Sequence, residues 1–373
     1  MAGPQTKEMI IQRHMANELL QAPILLPVQR AQGQDLSMDQ PTMQPDPAIV
    51  ESAATALEQG QTHYVDVPGI TPLREALAAY LKDMGLVGYG QANVLVTAGI
   101  QECRFLSIQM IGESFGCIAL PEVVHPGARK AAGVRQIDVK FLPVDAQNGM
   151  LPTLSGMREA LEGGCRLLYF ESPVRLTGAT FDAAIVKEIA GMIEEFDAGA
   201  IWDQGLAPWV QDVQYASLGA QPGMAERVVV FGEAWPGVGL ESWFIGYVAA
   251  NEDWVENMRS QKQIMSICTS TPSQFAALKA AELYPNLYAG QLLELVQSRQ
   301  EALELVRRLG AEPLNGVAVN LIALRVSDPA RASAALREGG FWFADGADFG
   351  AQDVFRLSVT TDNAIVEALN QLA

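Results

Sequence analysis

The sequence predicts an α/β fold: a mostly parallel mixed sheet flanked by helices, with a smaller α+β domain built from both termini. Three observations lead there. Short apolar runs alternate with stretches of helical periodicity from residue 46 onward, which is the mark of parallel strands joined by crossover helices. Beyond the long helical stretch ending near residue 308, strand and helix patterns mix on a smaller scale. At 373 residues and 49% hydrophobic composition, the chain can bury a large core and fill more than one domain.

Taken in order, residues 1–45 read as a polar arm rich in Gln and Pro, with one amphipathic stretch over 8–20. Residues 47–59 space Ile49, Val50, Ala53 and Leu57 as a helix does. A second helix over 73–84 is opened by Pro72, a residue suited to a first turn. The run 93–97 is a short strand that ends at Gly99, and a helix follows over 100–111. Further strands are expected at 117–120, 139–142, 166–170, 200–202, 228–231 and 245–249. Residues 272–308 form one long helical pattern, with Pro285 the point at which it would break. Segments 317–326, 330–338 and 354–359 complete a small α+β unit. The domains expected are 1–45 as arm and part of the small domain, 46–275 as the large domain, and 276–373 as linking helix and small domain.

Composition excludes several functions. A net charge of −18 leaves nothing to neutralise phosphates, so nucleic acid is excluded, and an anionic membrane surface is disfavoured. No apolar run is long enough to span a bilayer, and the first residues lack a signal-peptide core. Cys103, Cys117, Cys165 and Cys268 form no CxxC pair and no metal spacing, so reduced structural thiols, a cytoplasmic location and no metal site are expected.

Ligands of such sheets sit beyond the carboxyl ends of the strands. Attention therefore falls on the loops after Thr97, Phe170, Trp202 and Phe231. Gly99, Ile100 and Gln101 open a helix, whose free N–H groups suit an anion; the same glycine also suits a tight turn. Asp203 ends an apolar strand, where it is either a functional acid or a turn cap. Arg356 lies between Phe355 and Leu357 on a strand, as a ligand-binding fork or a solvated edge residue. His125, one of 3 histidines, is a candidate for proton transfer or a satisfied loop residue.

The segment VVVFGEAWPGVGLESWFIGY, residues 228–247, resembles the cofactor-lysine segment of the aspartate-aminotransferase-like (fold type I, class I/II) pyridoxal-phosphate enzymes. That segment reads roughly S-x-S-K-x-x-G-x-x-G-x-R-x-G-Y. Aligned on Ile245-Gly246-Tyr247, the aldimine lysine falls on Pro236 and the phosphate arginine on Phe244. The resemblance extends over about residues 35–373. Tyr64, Gly69, Leu73 and Arg74 match Y-x-x-x-x-G-x-x-x-L-R, whose tyrosine reaches the phosphate of the neighbouring subunit. Gly99, Ile100 and Gln101 fit the phosphate loop. Asp203 fits the aspartate that holds the pyridinium proton. Arg356 in F-R-L-S fits the arginine that forks onto a substrate α-carboxylate.

Other matching positions are altered. The asparagine that bonds the ring oxygen is Arg175, the ring tyrosine is Leu206, and Glu233, Trp235 and Glu241 replace Ser, Ser and Pro. No lysine occurs between Lys187 and Lys262. The resemblance thus implies pyridoxal phosphate held weakly, non-covalently or not at all, and each lost charged bond costs about 1.5–3 kcal/mol. Ordinary transamination is doubtful. The expectation is a homodimer that binds an amino- or keto-acid through Arg356, with Arg175 as a second substrate cation. The alternatives are an enzyme using pyridoxal or pyridoxamine phosphate non-covalently, with Glu233 or His125 as base, and a cofactor-independent enzyme with a rebuilt pocket.

Overall fold

The structure is a computed structural model that describes residues 33–39, 43–211, 213–233 and 235–372. The expected amphipathic stretch over 8–20 lies outside the described residues. The chain opens with strand β1 (Gln34–Leu36), followed by helices α1 (Pro47–Glu58) and α2 (Thr71–Asp83). Then come β2 (Val94–Ala98), α3 (Gly99–Phe115), β3 (Cys117–Pro121), α4 (Pro126–Val134) and β4 (Asp138–Leu142). A small hairpin of β5 (Val144–Asp145) and β6 (Leu151–Pro152) precedes α5 (Leu154–Glu162), β7 (Leu167–Glu171), α6 (Ala183–Glu195) and β8 (Gly199–Asp203). After β9 (Val228–Glu233) and β10 (Ile245–Ala249), α7 (Glu252–Met265) and α8 (Thr271–Arg308) lead into the last unit. That unit holds β11 (Glu312–Pro313), β12 (Leu321–Arg325), α9 (Pro329–Glu338), β13 (Phe341–Asp345), β14 (Val354–Ser358) and α10 (Ala364–Asn370).

Seven strands form the large sheet in the order β2-β10-β9-β8-β7-β3-β4. Strands β9, β8, β7, β3 and β4 run parallel, and β10 runs antiparallel to both of its neighbours. Sequences such as VVVFGE in β9 and LLYFE in β7 are apolar almost throughout because helices cover both faces of the sheet. One face packs Leu168, Phe170, Trp202 and Val230; the other packs Leu95, Tyr169, Ile201 and Phe231 against α3 and α4. A second sheet, ordered β1-β13-β14-β12-β11, joins the N-terminal segment to the C-terminal unit. Its core includes Phe343 stacked on Phe355 at 4.3 Å, with Val306 of α8 and Leu36 of β1.

Parallel register sets the site. The last residues of three adjacent strands, Glu171 of β7, Asp203 of β8 and Glu233 of β9, end at one edge of the sheet. Glu171 lies opposite Asp203, and Gly246 of β10 lies opposite Glu233.

Two expectations are corrected. Helix α8 does not break at Pro285 but runs through it. Pro285 is exposed, while Leu283, Tyr284 and Leu287 pack inward and hold the helix line on either side. Cys117 and Cys165 are not free thiols: they form a disulfide with Cα atoms 5.5 Å apart, inside the range a disulfide requires. Cys103 and Cys268 remain free.

Candidate active site

Asp203 is fully buried, and each of its oxygens accepts two hydrogen bonds. Oδ1 takes Arg175 Nη2 at 2.7 Å and the Gly205 amide at 3.0 Å. Oδ2 takes Arg175 Nε at 3.2 Å and Arg104 Nη2 at 2.8 Å. Burial opposes the charge of Asp203, yet the two guanidinium groups prevail and hold its carboxyl below the ordinary range. The Arg175–Asp203 pair is side-on and bidentate, the strong form of this interaction. It needs the glycine at 205, because a Cβ there would stand 2.0 Å from Arg175 Nη2.

Arg175 is spent in every direction. Its Nη1 meets Asp39 Oδ2 at 2.8 Å, its amide donates to Glu171 Oε2 at 3.2 Å, and its carbonyl accepts Arg356 Nη1 at 2.7 Å. Arg104, from the second turn of α3, also donates to the Tyr169 hydroxyl at 3.1 Å and to Gln101 Oε1. Arg356 donates its Nη2 to the Ser37 carbonyl and lies 5.3 Å from the Phe349 ring centre. Its Nε is buried with no partner among the described residues.

Two carboxyl groups of the same edge are pushed up. Glu171 rises to about 7 because it is buried and faces Asp203, against the pull of Arg104. Its Oε1 accepts the His125 amide at 2.8 Å. Glu233 also rises to about 7, through burial and then the negative field of Asp39, opposed by Arg175. His125 is held well below its usual range by burial and by Arg104. Its Nδ1 accepts the Gly127 amide at 3.0 Å, so it caps α4 as a neutral ring, edge-on to Phe349.

The structure therefore brings Asp203, Arg175, Arg356, Glu171, Glu233 and His125 to one place. Other expected positions stand apart. Gly99, Ile100 and Gln101 open α3, whose N-cap residue Ala98 has no side chain able to cap it. Phe244 leans over it, with Cδ1 3.1 Å from where a Gly99 Cβ would lie. The adjoining cleft, about 430 Å³, is lined by Ala98, Ser242, Trp243, Phe244, Thr269, Ser270 and Ser273, so it offers hydroxyls and no cation. Glu102 pairs with buried Lys262 at 2.8 Å while its Oε2 also accepts the Ala98 amide at this helix end. Pro236 is buried in the β9–β10 loop, beside Trp235. Leu206 is core. Tyr64 is 79% exposed on the isolated chain. Among the described residues no cluster of His, Cys, Asp or Glu could hold a metal, and no helix is long and apolar enough to cross a membrane.

Sequence reasoning missed Arg104 and Asp39. An arginine on the buried face of α3, flanked by Cys103 and Phe105, was a readable signal. Asp39 carried none.

Residues 32–372 match the family model for class I and II aminotransferases. The chain belongs to that family. It is 26% identical over 365 residues to an aspartate/prephenate aminotransferase of Thermus thermophilus, covering 92% of each chain. A probable aspartate aminotransferase of Methanocaldococcus jannaschii is 24% identical over 252 residues, and the match spans 66% of each protein. Among solved structures, an aromatic aminotransferase of Pyrococcus horikoshii superposes with a TM-score of 0.83 at 21% identity, over 91% of this chain and 94% of that one. The aspartate aminotransferase of Thermus thermophilus with maleate gives a TM-score of 0.83 at 21% identity, over 100% and 96%. The aminotransferase family implies pyridoxal phosphate as cofactor, and the mixed α/β fold with its large, mostly parallel central sheet agrees with these structures.

Proposed function

We propose that this chain is an aminotransferase-family protein that does not transaminate and that serves as a homodimeric binding or regulatory protein for small carboxylic acids. One observation carries the reading: both oxygens of Asp203 are already filled, by Arg175, Arg104 and Gly205. A pyridinium ring held in the family manner needs one of those oxygens and the space beside it. The arginine guanidinium takes both.

The residues present do not fit the cofactor elsewhere either. At Pro236 there is no amine, and Phe244 brings an apolar ring to the helix end where a phosphate would want a cation. Glu233 adds an acid to the same edge. No reaction step is therefore assigned to pyridoxal phosphate in this chain. Among these acids the edge retains two fully buried cations suited to a carboxylate, Arg175 and Arg356, and Asp39 lies in the field of both.

Dimerisation is supported by the exposure of Tyr64 and Phe244, at 79% and 59%, which leaves large apolar side chains uncovered on the isolated chain. Titration of purified protein with pyridoxal phosphate, read by visible absorbance after free cofactor is removed by gel filtration, tests the main reading. No new band is expected. A band that appears at stoichiometric cofactor would sink it. Mass in solution by light scattering tests the dimer, and a monomer would refute that part.

A further inference from the structure

The N-terminal segment 33–39 crosses the candidate site as a strap, and it is held there by the site's own residues. β1 pairs in parallel with β13. Past β1, Arg356 donates to the Ser37 carbonyl, Ser358 Oγ donates to the carbonyls of Leu36 at 3.2 Å and of Met38, and Asn320 Nδ2 donates to the Asp39 carbonyl. Asp35 tightens the turn by accepting from the Ser37 amide at 2.9 Å. The strap ends by placing the Asp39 carboxylate against Arg175 Nη1 at 2.8 Å.

We infer that Asp39 is an internal occupant of a carboxylate site built from Arg175 and Arg356, and that a small external carboxylate enters by displacing it. The inference rests on the proposed binding function and adds the manner of entry and the ligand class. That class is read from the group already in place, a carboxylate on a single methylene, for which acetate is the smallest free equivalent.

Three features favour exchange over a permanent structural pair. Asp39 is the outermost member of the network: its side chain is 21% exposed, against 1% for Arg175 and 0% for Asp203. Its attachment to Arg175 is a single contact, whereas Asp203 holds the same guanidinium by two. Closure also leaves Arg356 Nε, a hydrogen-bond donor, buried without a partner among the described residues. Buried polar groups are normally satisfied, so the strapped arrangement leaves donor capacity unused at Arg356, one of the residues that grip it. The field at Asp39 comes from Arg175 and then Arg356, which outweigh its burial and keep it charged.

The test uses the full chain, acetate as the probe and sodium chloride at equal ionic strength as the control. Asp39→Ala is expected to bind acetate at least tenfold tighter than the wild type by calorimetry, and its melting temperature is expected to rise with acetate and not with chloride. Ser358→Ala, which loosens the strap without touching either arginine, is expected to raise wild-type acetate affinity in the same direction. Asp39→Asn preserves the size of the side chain and stands in if the alanine variant does not fold. If the wild type binds acetate and no variant binds it more tightly, displacement of Asp39 is overturned while the binding function stands. If neither the wild type nor any folded variant binds acetate, both are overturned.

Discussion

Arg175 meets Asp203 along the full edge of its guanidinium, with Nε 3.2 Å from Oδ2 and Nη2 2.7 Å from Oδ1. This contact joins the loop after β7 to the last residue of β8, and both partners are out of water. Its geometry decides what removal of either partner does.

Arg175→Ala should destabilise the fold by about 3–5 kcal/mol, because it leaves Asp203 and Asp39 as buried or half-buried anions with one fewer cation. Urea denaturation at neutral pH reads this. The double variant Arg175→Met with Asp203→Leu should not recover the loss, since it leaves buried Arg104 without its carboxylate and Asp39 without its cation. Equal stability of the single variant and the wild type would mean the pair contributes nothing.

Restoring an amine alone should not restore cofactor. Pro236→Lys is expected to be colourless once free pyridoxal phosphate is removed, because the oxygens of Asp203 stay filled. Adding Arg175→Asn and Phe244→Arg to Pro236→Lys should produce a visible band. If the single variant colours on its own, the ring space was never blocked.

Stability should fall as pH rises through neutrality. Glu171 and Glu233 are raised from 4.5 to about 7, so the folded state holds their protons more tightly than the unfolded one. The stability they contribute is complete below about 4.5 and is lost as pH climbs through about 7. Asp203 is lowered from 3.8, so its contribution is present above that value and is lost only in stronger acid. The melting temperature should therefore be highest between these limits, in mildly acidic solution, and Glu171→Gln should flatten the decline toward alkaline pH. A melting temperature that climbs through neutrality would contradict the placement of both glutamates.

Lys262 and Glu102 form a second buried pair, 2.8 Å apart, with Ser266 Oγ donating to the free glutamate oxygen at 3.0 Å. Lys262→Met should cost about 3–5 kcal/mol by stranding the carboxylate. Glu102→Gln in the same chain should return part of that, as a double-mutant cycle in urea would read.

The disulfide joins residues separated by 48 positions, and closing a loop of that length is worth about 4 kcal/mol in the chain-entropy account. Cys165→Ser, or reduction of the wild type, should lower the unfolding free energy by roughly 2–4 kcal/mol. No change on reduction would show that the thiols are free in solution.

Much of this architecture was legible in the sequence because its causes are local. The strands β7, β8 and β9 declare themselves as apolar runs, and each ends in an acid where the chain leaves the sheet. Gly99 and Pro72 mark helix starts by their own backbone needs. What could not be read depends on pairing over distance. Asp39 reaches Arg175 across 136 positions, and Lys262 reaches Glu102 across 160. Arg356 was expected to offer a fork to a ligand, but one prong goes to the Arg175 carbonyl and another to the strap. Pro285 argued for a break, and exposure of its own side with inward packing of its neighbours let the helix continue.

The bare α-carbon of Gly205 is what admits the Arg175 guanidinium to Asp203. Sealing this pocket is accordingly a two-position trait: an arginine at 175 is ineffective without the glycine at 205. Among related chains, one with arginine at the first position and alanine or larger at the second should be unable to close in this way, so the co-occurrence of Arg175 and Gly205 is a signature by which other sealed members can be recognised from sequence.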